Sequence, residues 1–217
     1  LSLLPGKGQR QKLLFSATLS VDLSSMQQVL LNDPKVVKIS EEEVTAGDEA
    51  DSSELINQLG YFVPDEKKGP LLRYLIKSGD LQQVLVFASS TRMVDSIANK
   101  LRKNDIDVAE AHSKISQTGR RENLADFKSG RLRVLVTTDL LARGVDIEFL
   151  PCVINYELPR SPKDYIHRIG RTGRAGSPGD AISLISPDEM HHFRVIQKKM
   201  GKRVKMLHSE DINLHGY

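Results

Sequence analysis

Between Leu55 and Met200 short apolar runs alternate with longer stretches whose apolar residues recur every three or four positions. Short β-branched or aliphatic runs bounded by turn residues predict buried strands, and a period near 3.6 predicts helices. Strands are therefore expected in "LINQLGYFV", "QQVLVFASS", "VAEAH", "RVLVTT", "CVINYE" and "AISLIS". Helices are expected in "KKGPLLRYLIKSG", "TRMVDSIANKLRKN", "SQTGRRENLADFKSG", "SPKDYIHRIGR" and "PDEMHHFRVIQKKM". In the second of these helices Met93, Val94, Ile97, Ala98 and Leu101 share one face; in the fourth, Ser161 and Pro162 mark the start. Strands alternating with helices specify an α/β fold with a parallel sheet covered on both faces. Ligands of such folds sit at the carboxyl ends of the strands.

The pattern also divides the chain. "QKLLFSATLS", "VDLSSMQQVLL" and "NDPKVVKIS" read as strand and loop, helix and strand, a separate piece over 1–40. Residues 41–54, "EEEVTAGDEADSSE", are acidic and poor in apolar residues, so they read as a solvated linker. The main domain is expected over 55–200, and 201–217 has no clear period and reads as an extension or tail. The first residue is Leu1, not Met, which suggests a piece of a longer protein.

Charge sharpens the picture. The formal balance is 31 Lys and Arg against 28 acids, but seven acids lie in Glu41–Glu54, leaving 31 cations against 21 acids in the rest. A basic body suggests a polyanionic partner. No apolar run reaches the ~18 residues of a membrane span; a soluble protein with no membrane partner is expected, cytoplasmic or, in a eukaryote, alternatively nuclear, nucleolar or organellar. The one Cys, Cys152, lies in the apolar run "PCVINYEL" and reads as a small buried hydrophobe. No Cys or His pair has metal-ligand spacing.

Candidate chemistry falls in the loops after strands. "YIHRIGRTGRAG" spaces Arg168, Arg171 and Arg174 three apart with Gly170, Gly173 and Gly176 between them. Arg offers a planar fork to phosphate and Gly permits close backbone approach; a solvated basic helix end with a Gly cap has the same look. In "TTDLLARGVDI", hydroxyls and free amides after a strand can hold phosphate and Asp146 can accept from a ribose hydroxyl, or merely cap a turn. Gln117 and Arg120 stand on the first turn of a helix, where free amides favour anions, although an ordinary helix start needs no ligand.

Five segments in order resemble the DEAD-box RNA helicases: "SAT" at Ser16–Thr18, "VLVFASSTR", "HSKISQTGR", "TTDLLARGVDI" and "HRIGRTGRAG" are similar to motif III, motif IV, the Q-x-x-R region, motif V and motif VI. The leading His separates the last from the DEAH group, where Gln usually stands first. The resemblance covers most of residues 11–200. It implies a second RecA-like lobe over 55–200, preceded by the end of a first RecA-like lobe over 1–40. ATP and Mg²⁺ would lie between lobes, held mainly by the first, with RNA lying across both. It further implies that Arg171 and Arg174 reach the γ-phosphate, with Arg174 as the arginine finger, a role that can contribute roughly 10³ to 10⁵ in rate. Gly144 and Asp146 would bind the nucleotide, Asp146 through the ribose. Arg92, Gln117, Arg120 and Thr138 would contact the phosphate backbone of single-stranded or duplex RNA. Ser16, Thr18, Arg143 and His167 would couple the lobes.

Two departures qualify the resemblance. His112-Ser113 replaces the family's usual His-Gly, and "PGKGQR" is not the G-x-x-x-x-G-K-[ST] of a P-loop. The sequence supplies no other P-loop, so this chain alone is expected not to turn over ATP. The literal "DEAD" of Asp48–Asp51 follows "SAT" where the family's acidic motif precedes it, and it falls in the linker rather than at a strand end. The expected function is the carboxy-terminal part of an ATP-dependent RNA helicase; the alternative is a non-catalytic RNA- or partner-binding module.

Overall fold

The computed structural model describes residues 35, 37, 55–139, 147, 150–173 and 178–217. From residue 55 onward these all belong to one compact unit. Its elements run in chain order as β1 (Ile56–Phe62), α1 (Asp65–Ser78), β2 (Val84–Phe87), α2 (Thr91–Arg102), β3 (Val108–Ala111), α3 (Gln117–Lys128), β4 (Val134–Thr137), β5 (Cys152–Asn155), α4 (Pro162–Ile169), β6 (Gly179–Ile185), α5 (Met190–Met200) and β7 (Lys205–His208). Every strand and helix expected between 55 and 200 forms. The piece at 1–40 and the acidic linker at 41–54, apart from Lys35 and Val37, lie outside the described residues.

The seven described strands form one sheet in the order β3-β4-β2-β5-β6-β1-β7, and all pairings are parallel. Side chains of a strand alternate between faces, and the core divides accordingly. Val84 and Val86 of β2, Val134 and Val136 of β4, and Cys152 and Ile154 of β5 pack with α1 and α2. Leu85, Phe87, Leu135 and Val153 face Phe127 of α3 on the other side. On that same side Tyr165 and Ile169 of α4 meet Phe193 and Ile196 of α5. Strands buried on both faces explain the near-continuous apolar runs of the sequence. Burial pushes the Cys152 thiol up to about 12, so it stays protonated as a small core residue.

Helix starts follow their side chains. Ser90, Ser116 and Ser161 each accept a hydrogen bond from the backbone N–H three residues on, at 3.2, 3.1 and 3.1 Å. Pro162 follows Ser161 in the first turn of α4, where its missing N–H is harmless.

The tail behaves differently from its sequence pattern. Residues 205–208 add strand β7 beside β1, with Leu59 opposite Lys205 and Phe62 opposite His208. Ile212 and Leu214 then pack against the α1–α2 core, and the Tyr217 ring meets Tyr74 edge to face at 5.2 Å. A four-residue edge strand is too short to show a period, which is why "VKMLHSEDINLHGY" reads as structureless.

Candidate nucleic-acid interface

Strands β3, β4 and β2 are neighbours and parallel, so their carboxyl ends form one edge. Three segments leave from that edge: Ala88–Arg92 into α2, His112–Gln117 into α3, and Thr138–Asp139 after β4. Arg92 is exposed in the first turn of α2, Gln117 is exposed as the first residue of α3, and Arg120 follows one turn on, partly buried. Thr138 is partly exposed just beyond β4. Four residues that the sequence scatters over 47 positions, from Arg92 to Thr138, therefore share one edge of the sheet. The first-turn amides of α2 and α3 open onto this edge and favour negative charge there. Among the described residues the Arg120 Nε–H is buried without a hydrogen-bond partner.

This edge is held by a side-chain network. The Thr137 hydroxyl donates to the Ala111 carbonyl at 2.8 Å, tying the end of β4 to the end of β3. His112 is 3% exposed; its Nε2 lies 2.8 Å from Asp95 of α2, and its Nδ1 accepts from the Lys114 N–H at 3.3 Å. With Nδ1 accepting, Nε2 carries the proton and donates to Asp95. His112 thus fastens the loop bearing Gln117 to the helix bearing Arg92. Ser113, in place of the family's usual Gly, is accommodated as an exposed turn residue beside it.

The second cluster lies around α4. Arg168 is 2% exposed and satisfied on every side. Its Nε and Nη2 donate to the two oxygens of Asp139 at 2.5 and 2.7 Å. Its Nη1 donates to the Asn155 side chain at 3.0 Å and the Glu157 carbonyl at 2.7 Å. The guanidinium also stacks over Phe87, 4.9 Å from the ring centre. The three-residue arginine series is therefore not uniform: Arg168 is a structural rivet, whereas Arg171 is partly exposed and touches only the Ile147 carbonyl, at 3.5 Å, among described side-chain contacts.

Arg168 and its neighbours hold Asp139 and Leu150, described residues on either side of 140–146. Asp139, on one side, is held by Arg168; on the other, the Leu150 N–H donates to the Arg171 carbonyl at 3.0 Å and the Thr172 hydroxyl donates to the Leu150 carbonyl. Arg143, Gly144 and Asp146 lie between these anchors but outside the described residues, as do Arg174, Ser16 and Thr18. His167 is exposed on α4, next to the buried Arg168. Gly173 adopts φ +65°, where a Cβ would stand 2.6 Å from Ile56 and 3.1 Å from the Leu55 carbonyl. Its close approach is thus to the start of β1.

Sequence reading did not single out Asp139, Asn155, Asp95 or His112 as partners in these networks. Each pairing spans 13 to 29 residues or crosses between strands, and no local period signals it. Among the described residues no three His, Cys, Asp or Glu side chains converge to hold a metal ion. The partly exposed Arg171 has a charge that suits an anionic nucleotide.

The helicase conserved C-terminal domain family matches residues 67–176. The chain is 36% identical over 200 residues to the ATP-dependent RNA helicase RhlB of Pseudomonas syringae pv. tomato, covering 92% of this chain and 49% of that protein. It is 35% identical over 199 residues to the ATP-dependent RNA helicase CshA of Listeria monocytogenes, covering 92% of this chain and 37% of that one. It therefore spans about half or less of the curated relatives it matches. Among solved structures, a DEAD box protein from Methanococcus jannaschii superposes with a TM-score of 0.66 at 33% identity, over 89% of this chain and 50% of that one. The C-terminal domain of the DEAD-box protein Dbp5 gives 0.69 at 31% identity, over 73% of this chain and 93% of that domain. Saccharomyces cerevisiae Dbp5 bound to RNA and ADP BeF3 gives 0.71 at 28% identity, over 91% of this chain and 51% of that one. By family match, by identity and by fold, the chain belongs to the helicase conserved C-terminal domain family within the DEAD-box RNA helicases, and it carries their carboxy-terminal RecA-like lobe.

Proposed function

We propose that the chain serves as the second lobe of an ATP-dependent RNA helicase that separates short RNA duplexes or remodels RNA–protein complexes. The observation that carries this reading is the convergence of Arg92, Gln117, Arg120 and Thr138 on the carboxyl ends of β2, β3 and β4. Two cations, an amide, a hydroxyl and two helix N-termini suit phosphate oxygens, and phosphate contacts position a strand without specifying its sequence. Binding is accordingly independent of RNA sequence and sensitive to salt. The relative solved with RNA and ADP BeF3 supports the pairing of RNA and nucleotide on this fold.

Arg171 and Arg174 face the nucleotide from this lobe, and Asp146 with Gly144 holds its ribose side. ATP with Mg²⁺ supplies the free energy of the cycle, and its phosphate cradle belongs to a partner lobe. Closure of the two lobes brings the arginines against the charge that develops on the γ-phosphate, which is electrostatic stabilisation by positioned donors. Ser16, Thr18, Arg143 and His167 couple that closure to the RNA surface.

The test is a salt titration of RNA binding. A labelled homopolymeric single strand is bound to the 217-residue chain at several salt concentrations. Arg120→Ala is expected to weaken binding about tenfold and to lower the slope of log affinity against log salt by about 0.7, the single-strand value for one phosphate contact. Gln117→Ala, which removes no charge, should weaken binding without changing the slope. Unaltered affinity in both variants would sink the assignment of this edge.

A further inference from the structure

A second cationic surface lies away from this edge. From Met190 to His208 the sequence holds Arg194, Lys198, Lys199, Lys202, Arg203 and Lys205 and not one Asp or Glu. On α5 the buried Phe193 and Ile196 define one face. Arg194 and Lys198, four apart, and Val195 and Lys199, four apart, occupy the opposite face, and all four are exposed. Gly201 then ends the helix in the left-handed conformation, φ 66°, and turns the chain through the exposed Arg203 to the exposed Lys205 on β7. These exposed cations follow the helix and then the turn that leads onto the sheet's outer strand.

Its cations stand together without carboxylates among them, whereas several others on this lobe are paired. Lys68, Arg102, Arg131, Arg133 and Arg168 each pair with a carboxylate. Among the described residues Arg194, Lys198, Lys199, Arg203 and Lys205 have no acidic partner, and the stretch supplies none of its own. Helix-dipole complementation accounts for Lys198 and Lys199 in the last turn of α5. A single Lys on an edge strand, guarding it against pairing, accounts for Lys205. Neither accounts for Arg194 near the start of α5 or for Arg203 beyond its end. The strip is also rigidly backed: Tyr165 meets Phe193 edge to face at 6.0 Å, His192 bonds the Pro159 carbonyl at 2.7 Å, and the Val204 N–H donates to Gln197 at 2.8 Å.

We propose that this α5–β7 strip is a second RNA-binding surface, which holds the phosphate backbone of a further segment of the same RNA. Parallel strands are entered from their amino ends, so the α5–β7 turn at Gly201 lies at the amino edge of the sheet. The edge that carries Gln117 and Arg120 is the opposite one, and α5 itself, which leads back from the carboxyl end of β6, packs with Ile56, Ala181 and Ile185 of β1 and β6, across the sheet from β3 and β4. RNA on the strip therefore does not compete with RNA on the carboxyl edge, and it stays attached when the cleft opens and the carboxyl-edge grip is released. Rows of unpaired cations beside one exposed apolar side chain, Val195, suit a polyanion bound without sequence preference. The inference takes RNA as the polyanion from the proposed function, but the two surfaces are tested separately.

The experiment uses the same chain and the same salt titration with a labelled single-stranded RNA of about 30 nucleotides. The triple variant Arg194→Gln, Lys198→Gln, Lys199→Gln is expected to lower the salt slope by about 2, at about 0.7 per lost phosphate contact. Its affinity should fall about tenfold or more at low salt, and its thermal midpoint should drop only slightly, by the helix-dipole contribution of Lys198 and Lys199, because the three side chains are exposed. Combined with Arg120→Ala, the losses should add, since the surfaces are separate. An unaltered slope in the triple variant overturns the proposal, and it is also the result expected if the strip docks an acidic protein segment instead. A lost slope in the triple variant with none in Arg120→Ala supports the strip and removes the carboxyl-edge reading.

Discussion

At the residue scale the most consequential side chain is Arg168. Three fully buried or half-buried partners and an aromatic face absorb a guanidinium that is 2% exposed. A planar fork is required, because a Lys ammonium cannot span both oxygens of Asp139 while also reaching Asn155. Removing one partner of such a pair leaves an uncompensated charge and costs roughly 3–5 kcal/mol; here the lower end applies, since the Asp139 side chain is 30% exposed. Arg168→Ala is accordingly expected to lower the urea-unfolding free energy by about 3 kcal/mol, and Arg168→Lys to recover only part of that. A Lys variant as stable as the parent would show that the fork geometry is unimportant. The motif that contains Arg168 is plain in "HRIGRTGR", but its division of labour is not. Arg168 and Arg171 are chemically identical in the sequence, and only the packing of α4 against β2 and β5 buries one and leaves the other at the surface.

At the scale of elements the helices differ in how their faces could be read. The apolar face of α2 was legible, because Val94, Ile97, Ala98 and Leu101 repeat at helical spacing and are all buried. Helix α3 is another matter. Its one buried residue is Phe127, with Leu124 packed alongside, so the helix that presents Gln117 and Arg120 hangs on a single large anchor. Truncating a buried Phe to Ala costs about 3–5 kcal/mol. Phe127→Ala should therefore destabilise the lobe by that amount in urea melts and, at equal folded fraction, weaken RNA binding, because α3 is no longer seated against β2 and β4. A variant that lost stability but bound RNA with unchanged affinity would show that α3 keeps its position without this anchor. The loop before α3 has an added restraint in the His112–Asp95 contact. No sequence period could reveal it, since the partners stand on different elements.

For the whole molecule, one buried charge network joins distant parts of the chain. Lys68 of α1, 3% exposed, donates to Glu189 at 2.6 Å, and Glu189 also accepts from the backbone N–H groups of Ser186 and Leu158. Burial alone would raise the Glu189 carboxyl, but the Lys68 hydrogen bond and those backbone donors outweigh it and hold the group below its ordinary 4.5. A carboxyl lowered by folding contributes stability above its unfolded value, and that contribution is lost as pH falls through the folded one. The lobe should therefore lose stability from about pH 5 downward. Glu189→Gln should be less stable at neutral pH and show a flatter acid limb in pH-dependent melts. An acid limb unchanged by that substitution would place the titrating group elsewhere.

The sequence by itself determined the alternation of strands and helices and the parallel sheet, because burial on both faces forces apolar runs and helical periods that are visible one segment at a time; the family resemblance rested on the five ordered motifs. It could not decide the strand order that sets β3, β4 and β2 side by side, nor the use of "KMLH" as a seventh strand. Nor could it decide which arginine of motif VI is buried. Those outcomes depend on contacts between residues far apart in the chain, such as Arg168 with Asp139 and Leu59 with Lys205. Only the assembled sheet brings such residues together, and with them the edge and the strip on which RNA binding is proposed.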